Sequence, residues 1–192
     1  MAKLTLTSER LLLTLPRADQ AAAMLDFVSR NRDHLKPWSP PAPDGYTLEF
    51  WNNVVSTCDT AFEAGSAVRL WLATRDAPDT IIGSIGYSQI ARAAFSSCVV
   101  GYQLDQQFVG QGMMSEALRV ANRYMFEEQK LHRIAANYRP ENVKSGRLLA
   151  GLGFRIDGYA KDYLYIDGAW RDHVLTSMVN AEFNVGWLNV KR

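Results

Sequence analysis

A strand that runs into two glycines one residue apart, and from them straight into an amphipathic helix, leaves a chain few ways to fold. Cys98-Val99-Val100-Gly101-Tyr102-Gln103-Leu104 reads as that strand, Asp105 to Gly112 as the turn, and about Met113–Lys130 as the helix. Leu118, Ala121 and Met125 recur there at helical spacing. Gly110 and Gly112 remove side chains where backbone N–H groups could approach an anion, and the positive end of the helix dipole favours negative charge at the same place. The segment is therefore expected to hold a phosphate-bearing ligand inside an α/β domain.

The rest of the chain fits one such domain. Leu11–Leu15 reads as a strand ended by Pro16, and Asp19 is expected to cap a helix carrying Ala22, Leu25, Phe27 and Val28. Residues 36–45 hold four of the seven prolines and are expected to be a loop. A helix from Thr47 to about Ala64 should turn Phe50, Val54, Val55 and Phe62 inward. Strands follow at Val68–Thr74 and Ile81–Ile90. Beyond the central helix, Arg133–Tyr138 is a strand stopped by Pro140. Asn142 can cap a helix with Leu148, Leu149 and Leu152 on one side, closed by Gly153 in left-handed backbone with Phe154 folded back. A final pair of strands meets at the tight turn Asp167-Gly168 and reaches about Met178. No repeat or low-complexity linker interrupts this order, so residues 1–180 are expected to form one domain and 181–192 a tail.

Composition narrows the function classes. With 192 residues, 47% hydrophobic and 21% charged, the chain has an ordinary globular balance. No apolar run approaches the roughly 20 residues that span a bilayer, and the first ten residues lack the pattern of a secretory signal. Cys58 and Cys98 lie far apart in segments that read as buried, as reduced thiols of a cytoplasmic protein would. A formal net charge of +1 gives no reason to expect direct nucleic-acid binding. His34, His132 and His173 show no metal spacing, so structural roles and no metal are expected.

Three ligand classes use a strand–glycine–helix device. A Walker-type nucleotide loop needs a lysine after its last glycine, and Met113 stands there. A dinucleotide fingerprint needs a third glycine, but position 115 is Ser. Gln107-Phe108-Val109-Gly110-Gln111-Gly112 instead resembles the pyrophosphate loop of the Gcn5-related N-acetyltransferases (GNAT). Leu35-Lys36-Pro37-Trp38, Gly110–Leu118, His132–Tyr138 and the run Tyr159–Val174 are similar to the RimJ type, the ribosomal-protein alanine N-acetyltransferases. The resemblance implies a mixed, strongly bent α/β sheet, splayed at its centre, with helices on both faces. It implies transfer of acetyl from acetyl-CoA to the α-amine of an N-terminal alanine, on a small-subunit ribosomal protein or the assembling subunit. It also implies coenzyme contacts along Tyr102, Gln103 and Leu104, Phe108 to Ser115 (Phe108, Val109, Gly110, Gln111, Gly112, Met113, Met114, Ser115), Asn137, Asn142 and Ser145.

An α-amine, with an ordinary pKa of about 7.7–8.0, is partly neutral at pH 7, whereas a lysine at about 10.4 is not. A modest base is therefore enough. Asp162 is expected to be that base by its resemblance to an acidic family position. Ser145, Tyr138 and Tyr163 are candidates to protonate the departing thiolate, and a backbone N–H on the Tyr102–Leu104 strand to polarise the carbonyl. Trp38, the proline-rich loop and the first two helices are expected to wall the acceptor. A polyamine or aminoglycoside acceptor, or a non-catalytic coenzyme-binding assembly factor, is the rival reading.

Overall fold

The computed structural model describes residues 4–40 and 45–188. One mixed sheet of eight strands forms the frame, in the order β1-β2-β3-β4-β5-β6-β8-β7. The strands are β1 (Thr5–Thr7), β2 (Leu11–Thr14), β3 (Val68–Thr74), β4 (Gly83–Ala91), β5 (Ser97–Leu104), β6 (Arg133–Tyr138), β7 (Arg155–Ile166) and β8 (Ala169–Val179). The helices are α1 (Ala21–Arg30), α2 (Arg32–Leu35), α3 (Leu48–Glu63), α4 (Met113–Glu127) and α5 (Val143–Leu152).

Alternation along the strands sends side chains to both faces. Leu70, Leu72, Ile85, Tyr87, Cys98 and Val100 join Ala117, Leu118, Ala121 and Met125 of α4 and Leu149 of α5 in the larger core. On the other face Trp71 meets Trp51 and Val55 of α3 and Met24 and Phe27 of α1. Helices thus cover both faces, as the resemblance implied.

Seven strand pairings make up the sheet, and six of them are antiparallel. The exception joins β5 to β6 in parallel, as an α4 crossover requires, and its register covers only Ser97↔Arg133, Cys98↔Ile134 and Val99↔Ala135. Beyond Val99 the two strands part, while β5 stays paired to β4 out to Leu104 and β6 to β8 out to Tyr138. The sheet is therefore open at its centre, on the side where the glycine loop begins.

The strands at Val68–Thr74 and Arg133–Tyr138 stand where the sequence placed them, and Asn142 caps α5 by accepting the Ser145 N–H at 3.1 Å. Gly153 is left-handed (φ +97°) and Phe154 is buried behind it. Other expectations need correction. Asp19 does not cap α1: it lies inside a short 3₁₀ turn (Ala18–Gln20) with its carboxylate taken by Arg17, and α1 begins two residues later. The first strand is preceded by the unanticipated β1 and stops at Thr14. The β4 strand starts at Gly83, since Ile81 and Ile82 are buried before it begins, and α4 ends at Glu127. Helix α3 buries Trp51, Val55 and Cys58, while Phe50 and Val54 only flank that core.

Of the expected proline-rich loop, 41–44 lie outside the described residues. Lys36 continues the turn of α2, and Trp38 and Ser39 bond back to the Leu35 carbonyl. The segment expected as a tail folds back: Phe183 meets the His132 ring edge to face, Trp187 meets Phe183 in the same way, and Lys130 lies over the Trp187 ring. Residues 189–192 lie outside the described residues.

Candidate active site

The glycine loop is built by both of its flanks. Asp105 is buried at the end of β5, accepts the Gln107 N–H at 3.0 Å and the Arg30 guanidinium at 2.8 Å, and so starts the turn. Gln106 donates its N–H to Asn31 Oδ1. Gly110 and Gly112 then take left-handed backbone, φ +83° and +76°, which side chains with a Cβ adopt at a cost. Among the described residues, no hydrogen bond of good geometry takes up the backbone N–H groups of Gly110 to Ser115; the first so bonded is that of Glu116, to the Gly112 carbonyl. A run of free donors at the start of a 15-residue helix, with open space above Gly110, fits a pyrophosphate.

Arg10, in the bend just before β2, braces the loop. It donates to the Gln111 carbonyl at 3.1 Å and through Nε to Glu116 at 2.7 Å. Burial works against ionising Glu116, but bonds from Ser8 and from Arg10 outweigh it and hold the carboxyl below its ordinary range. The carboxylate at this helix start is thus neutralised by Arg10 and leaves the anion site uncontested. Phe108 packs at the edge of the main core, and Met113 and Met114 are buried beneath the loop.

A cleft of about 630 Å³ occupies the opening between β5 and β6. Val99 to Gln103 form one side, Asn137 to Arg139 with Asn142 and Ser145 the other, and Tyr163 and His173 come from the β7–β8 hairpin. Four of the expected residues meet here in two bonded pairs. The Tyr102 and Ser145 hydroxyls lie 2.6 Å apart, and Asn137 Nδ2 donates to the Tyr163 hydroxyl at 3.0 Å. Burial pushes the Tyr102 phenol up to about 12; the Ser145 bond opposes that rise and nearby Tyr138 adds to it. Tyr102 therefore keeps its proton at neutral pH.

Tyr138 lies against α5, where a Cβ on Gly146 would come within 2.9 Å of its ring. The Asn142 side chain is spent on the α5 cap. Gln103 turns the other way and donates to Ser39 Oγ at 2.8 Å, tying β5 to the loop after α2. In that loop Arg139 donates to the Pro37 carbonyl at 2.6 Å and sits over the Trp38 ring. Trp38 and Tyr46 line the cleft. Leu104 ends β5 against Gly83, and its edge toward β6 has no strand partner.

Asp162 stands elsewhere. It occupies a bulge between Ala160 and Leu164 with φ +48°, is exposed, and is not among the described residues lining the cleft; its backbone N–H donates to the Asp172 carboxylate. Residues that spacing alone did not single out do line the cleft: Arg69, Ser84, Arg139 and the buried His173. Their signal is tertiary, since each comes from a different strand or its end. The Cys98 thiol is buried and pushed up to about 12 by burial, so it is not a nucleophile. Among the described residues, no group of three or more His, Cys, Asp or Glu could hold a metal ion, and no helix is long and apolar enough to cross a membrane.

The fold has counterparts among known proteins. The acetyltransferase (GNAT) domain family model matches residues 10–155. The chain is 41% identical over 185 residues to the [ribosomal protein uS5]-alanine N-acetyltransferase of Escherichia coli K12, covering 96% of this chain and 95% of that protein. It superposes on the ribosomal-protein-S5-alanine acetyltransferase of Vibrio fischeri with a TM-score of 0.89 at 37% identity, over 94% of this chain and 99% of the other. On Mycobacterium smegmatis RimJ, solved in complex with a CoA-disulfide, the TM-score is 0.84 at 30% identity, over 90% and 83% of the two chains. A family match over most of the chain, on a sheet that opens beside a free-donor glycine loop, means that the chain belongs to the GNAT acetyltransferases.

Proposed function

We propose that this protein transfers the acetyl group of acetyl-CoA to the α-amine of an N-terminal alanine, with a uS5-type ribosomal protein as its acceptor, free or on the assembling small subunit. The observation that carries the reading is 41% identity, over nearly the full length of both chains, to an enzyme named for that reaction. Such an acceptor implies action in the cytoplasm, by one domain of residues 1–180 with residues 181–192 as an appendage.

The bound acetyl-CoA supplies a thioester whose carbonyl carbon the amine attacks. Gly110 to Ser115 offer the backbone donors for its pyrophosphate, and Phe108 and Val109 shape the approach to them. The unpaired edge of β5 from Tyr102 to Leu104 offers backbone donors in the opening, and Asn137, Asn142 and Ser145 flank it from β6 and α5. The Tyr102–Ser145 pair is a proton source for the departing sulfur, since both hydroxyls are protonated at neutral pH and one can donate while the other refills it.

The walls favour a peptide amine over a small polycation. Arg69 and Arg139 line the cleft, and no Asp or Glu is among its described lining residues. A polyamine or aminoglycoside would enter against cations. The test is acetyl-CoA with a panel of peptides beginning with Ala, Ser or Met, beside an α-blocked peptide carrying an internal lysine and spermidine as the polyamine. Thiol release and peptide mass are followed together. Transfer to the unblocked alanine peptide is expected to exceed that to the lysine peptide and the polyamine by at least about tenfold. Equal or better transfer to the polyamine would overturn the reading.

A further inference from the structure

We propose that His173 is the proton acceptor for the attacking amine; this rests on the N-terminal acetyltransferase reading above. Its side chain is 4% exposed, yet it forms part of the cleft wall. Nδ1 lies 3.0 Å from the Arg171 carbonyl oxygen, which can only accept, so Nδ1 carries the hydrogen. In the neutral ring that places the lone pair on Nε2. Nε2 has no hydrogen-bond partner among the described residues, on a side chain that lines the cleft.

The surrounding groups leave the role to it. Asp172, next in the chain, is turned to the outer face, where it accepts from the Tyr159 hydroxyl and the Asp162 N–H. From β7, Tyr163 places its ring 5.2 Å from the imidazole while its hydroxyl is held by Asn137. From the end of β6 comes Arg139, already engaged by Glu141 and the Pro37 carbonyl. No Asp or Glu is among the described residues that line the cleft, so His173 is the one side chain among them that offers a ring-nitrogen lone pair to the amine.

The protons then balance. An α-ammonium gives one proton to Nε2, directly or through one water, and His173 passes it to solvent. The neutral nitrogen forms the C–N bond to the thioester carbon. As the C–S bond breaks, sulfur receives a proton from the Tyr102–Ser145 pair, and the second proton leaving nitrogen, relayed through water, restores that pair. The products are the acetylated amine, free coenzyme thiol and one released proton.

The test is kcat and kcat/KM from pH 6.5 to 9 for the wild type and His173→Gln, on the best peptide of the panel, with acetyl-CoA binding and Tm measured on both. Glutamine keeps a polar side chain of similar reach but cannot take up a proton. Its kcat is expected to fall about 10²-fold at pH 6.5. The deficit should shrink to within about tenfold at pH 9, where the amine arrives neutral, with acetyl-CoA affinity within about threefold of wild type. A deficit constant with pH would overturn the proposal, as would activity within about threefold of wild type with the loss appearing in Asp162→Asn instead. If His173→Gln does not fold, His173→Ala with added imidazole replaces it, and absence of imidazole rescue in a folded, coenzyme-binding variant counts against the role. Preference of the wild type for spermidine over every peptide would strike the acceptor assignment, while the pH-dependent deficit would still report on His173.

Discussion

Tyr102 and Ser145 come from a strand and a helix 43 residues apart, and the 2.6 Å bond between them is, among the described residues, the one place in the cleft where two hydroxyls are coupled. Burial holds the phenol near 12, so it donates at any pH at which the protein works. Because either atom can be the donor, the two should act as one proton source. Tyr102→Phe is expected to lower kcat by about 10², and Ser145→Ala by a similar factor, with little change in acetyl-CoA affinity. The double variant should lose scarcely more than either single one, since removing one member already breaks the unit. Steady-state kinetics of the three variants decides this; additive losses would mean that the two hydroxyls serve separate steps. The pair was half visible in the sequence. Ser145 stood out from Asn142-x-x-Ser145, a local spacing, whereas the Tyr102 side chain gains its partner only because β5 and β6 part after Val99. His173 was hidden for the same reason, because its use depends on which strand lies beside it.

Helix α5 carries two glycines with opposite meanings, and only the structure tells them apart. A Cβ on Gly146 would meet the Tyr138 ring at 2.9 Å, while one on Gly151 would meet nothing within 4 Å. Gly151→Ala should therefore stabilise the protein by about 0.5–1 kcal/mol through helix propensity alone. Gly146→Ala should lose that gain and destabilise by about 1–3 kcal/mol as the ring is displaced, with a fall in kcat because Tyr138 lines the opening. Urea unfolding of both variants checks it; two stabilised proteins would mean that the Tyr138 ring yields freely. Elements whose signals are local were legible: β6 through Pro140, α5 through its Asn142 cap and its left-handed Gly153. Elements decided by partners were not. Strand β1 is three residues long and exists only by pairing with β2, and Asp19 was drawn from its expected cap by Arg17.

Across the whole molecule, the two hydrophobic cores lie on opposite faces of the sheet, and Asp105 ties the smaller one to the glycine loop. Its carboxylate holds Arg30 of α1 at 2.8 Å and the Gln107 N–H at 3.0 Å, beside the bond from Gln106 to Asn31. Burial would raise its pKa, but the Gln107 N–H, Asn31 and Arg30 outweigh burial and hold the carboxyl below its ordinary range. The folded state thus prefers the ionised form more than the unfolded chain does. The resulting stability is fully present above the unfolded value of about 4 and is lost as pH falls through the lower folded value. Asp105→Asn removes the charge at every pH. It should cost about 2 kcal/mol at pH 7, because Arg30 and the turn lose an ionic acceptor. The wild-type and variant curves should then converge toward pH 3, where the wild-type carboxylate is also being protonated. Urea midpoints from pH 7 to pH 3 test this, and curves that stay parallel would show that the ionised carboxylate is not the tie. Since the same residue starts the turn that presents Gly110 to Ser115, the variant should also bind acetyl-CoA more weakly at pH 7, by about tenfold. A stability loss without that weakening would mean that the glycine loop keeps its shape without its anchor to α1.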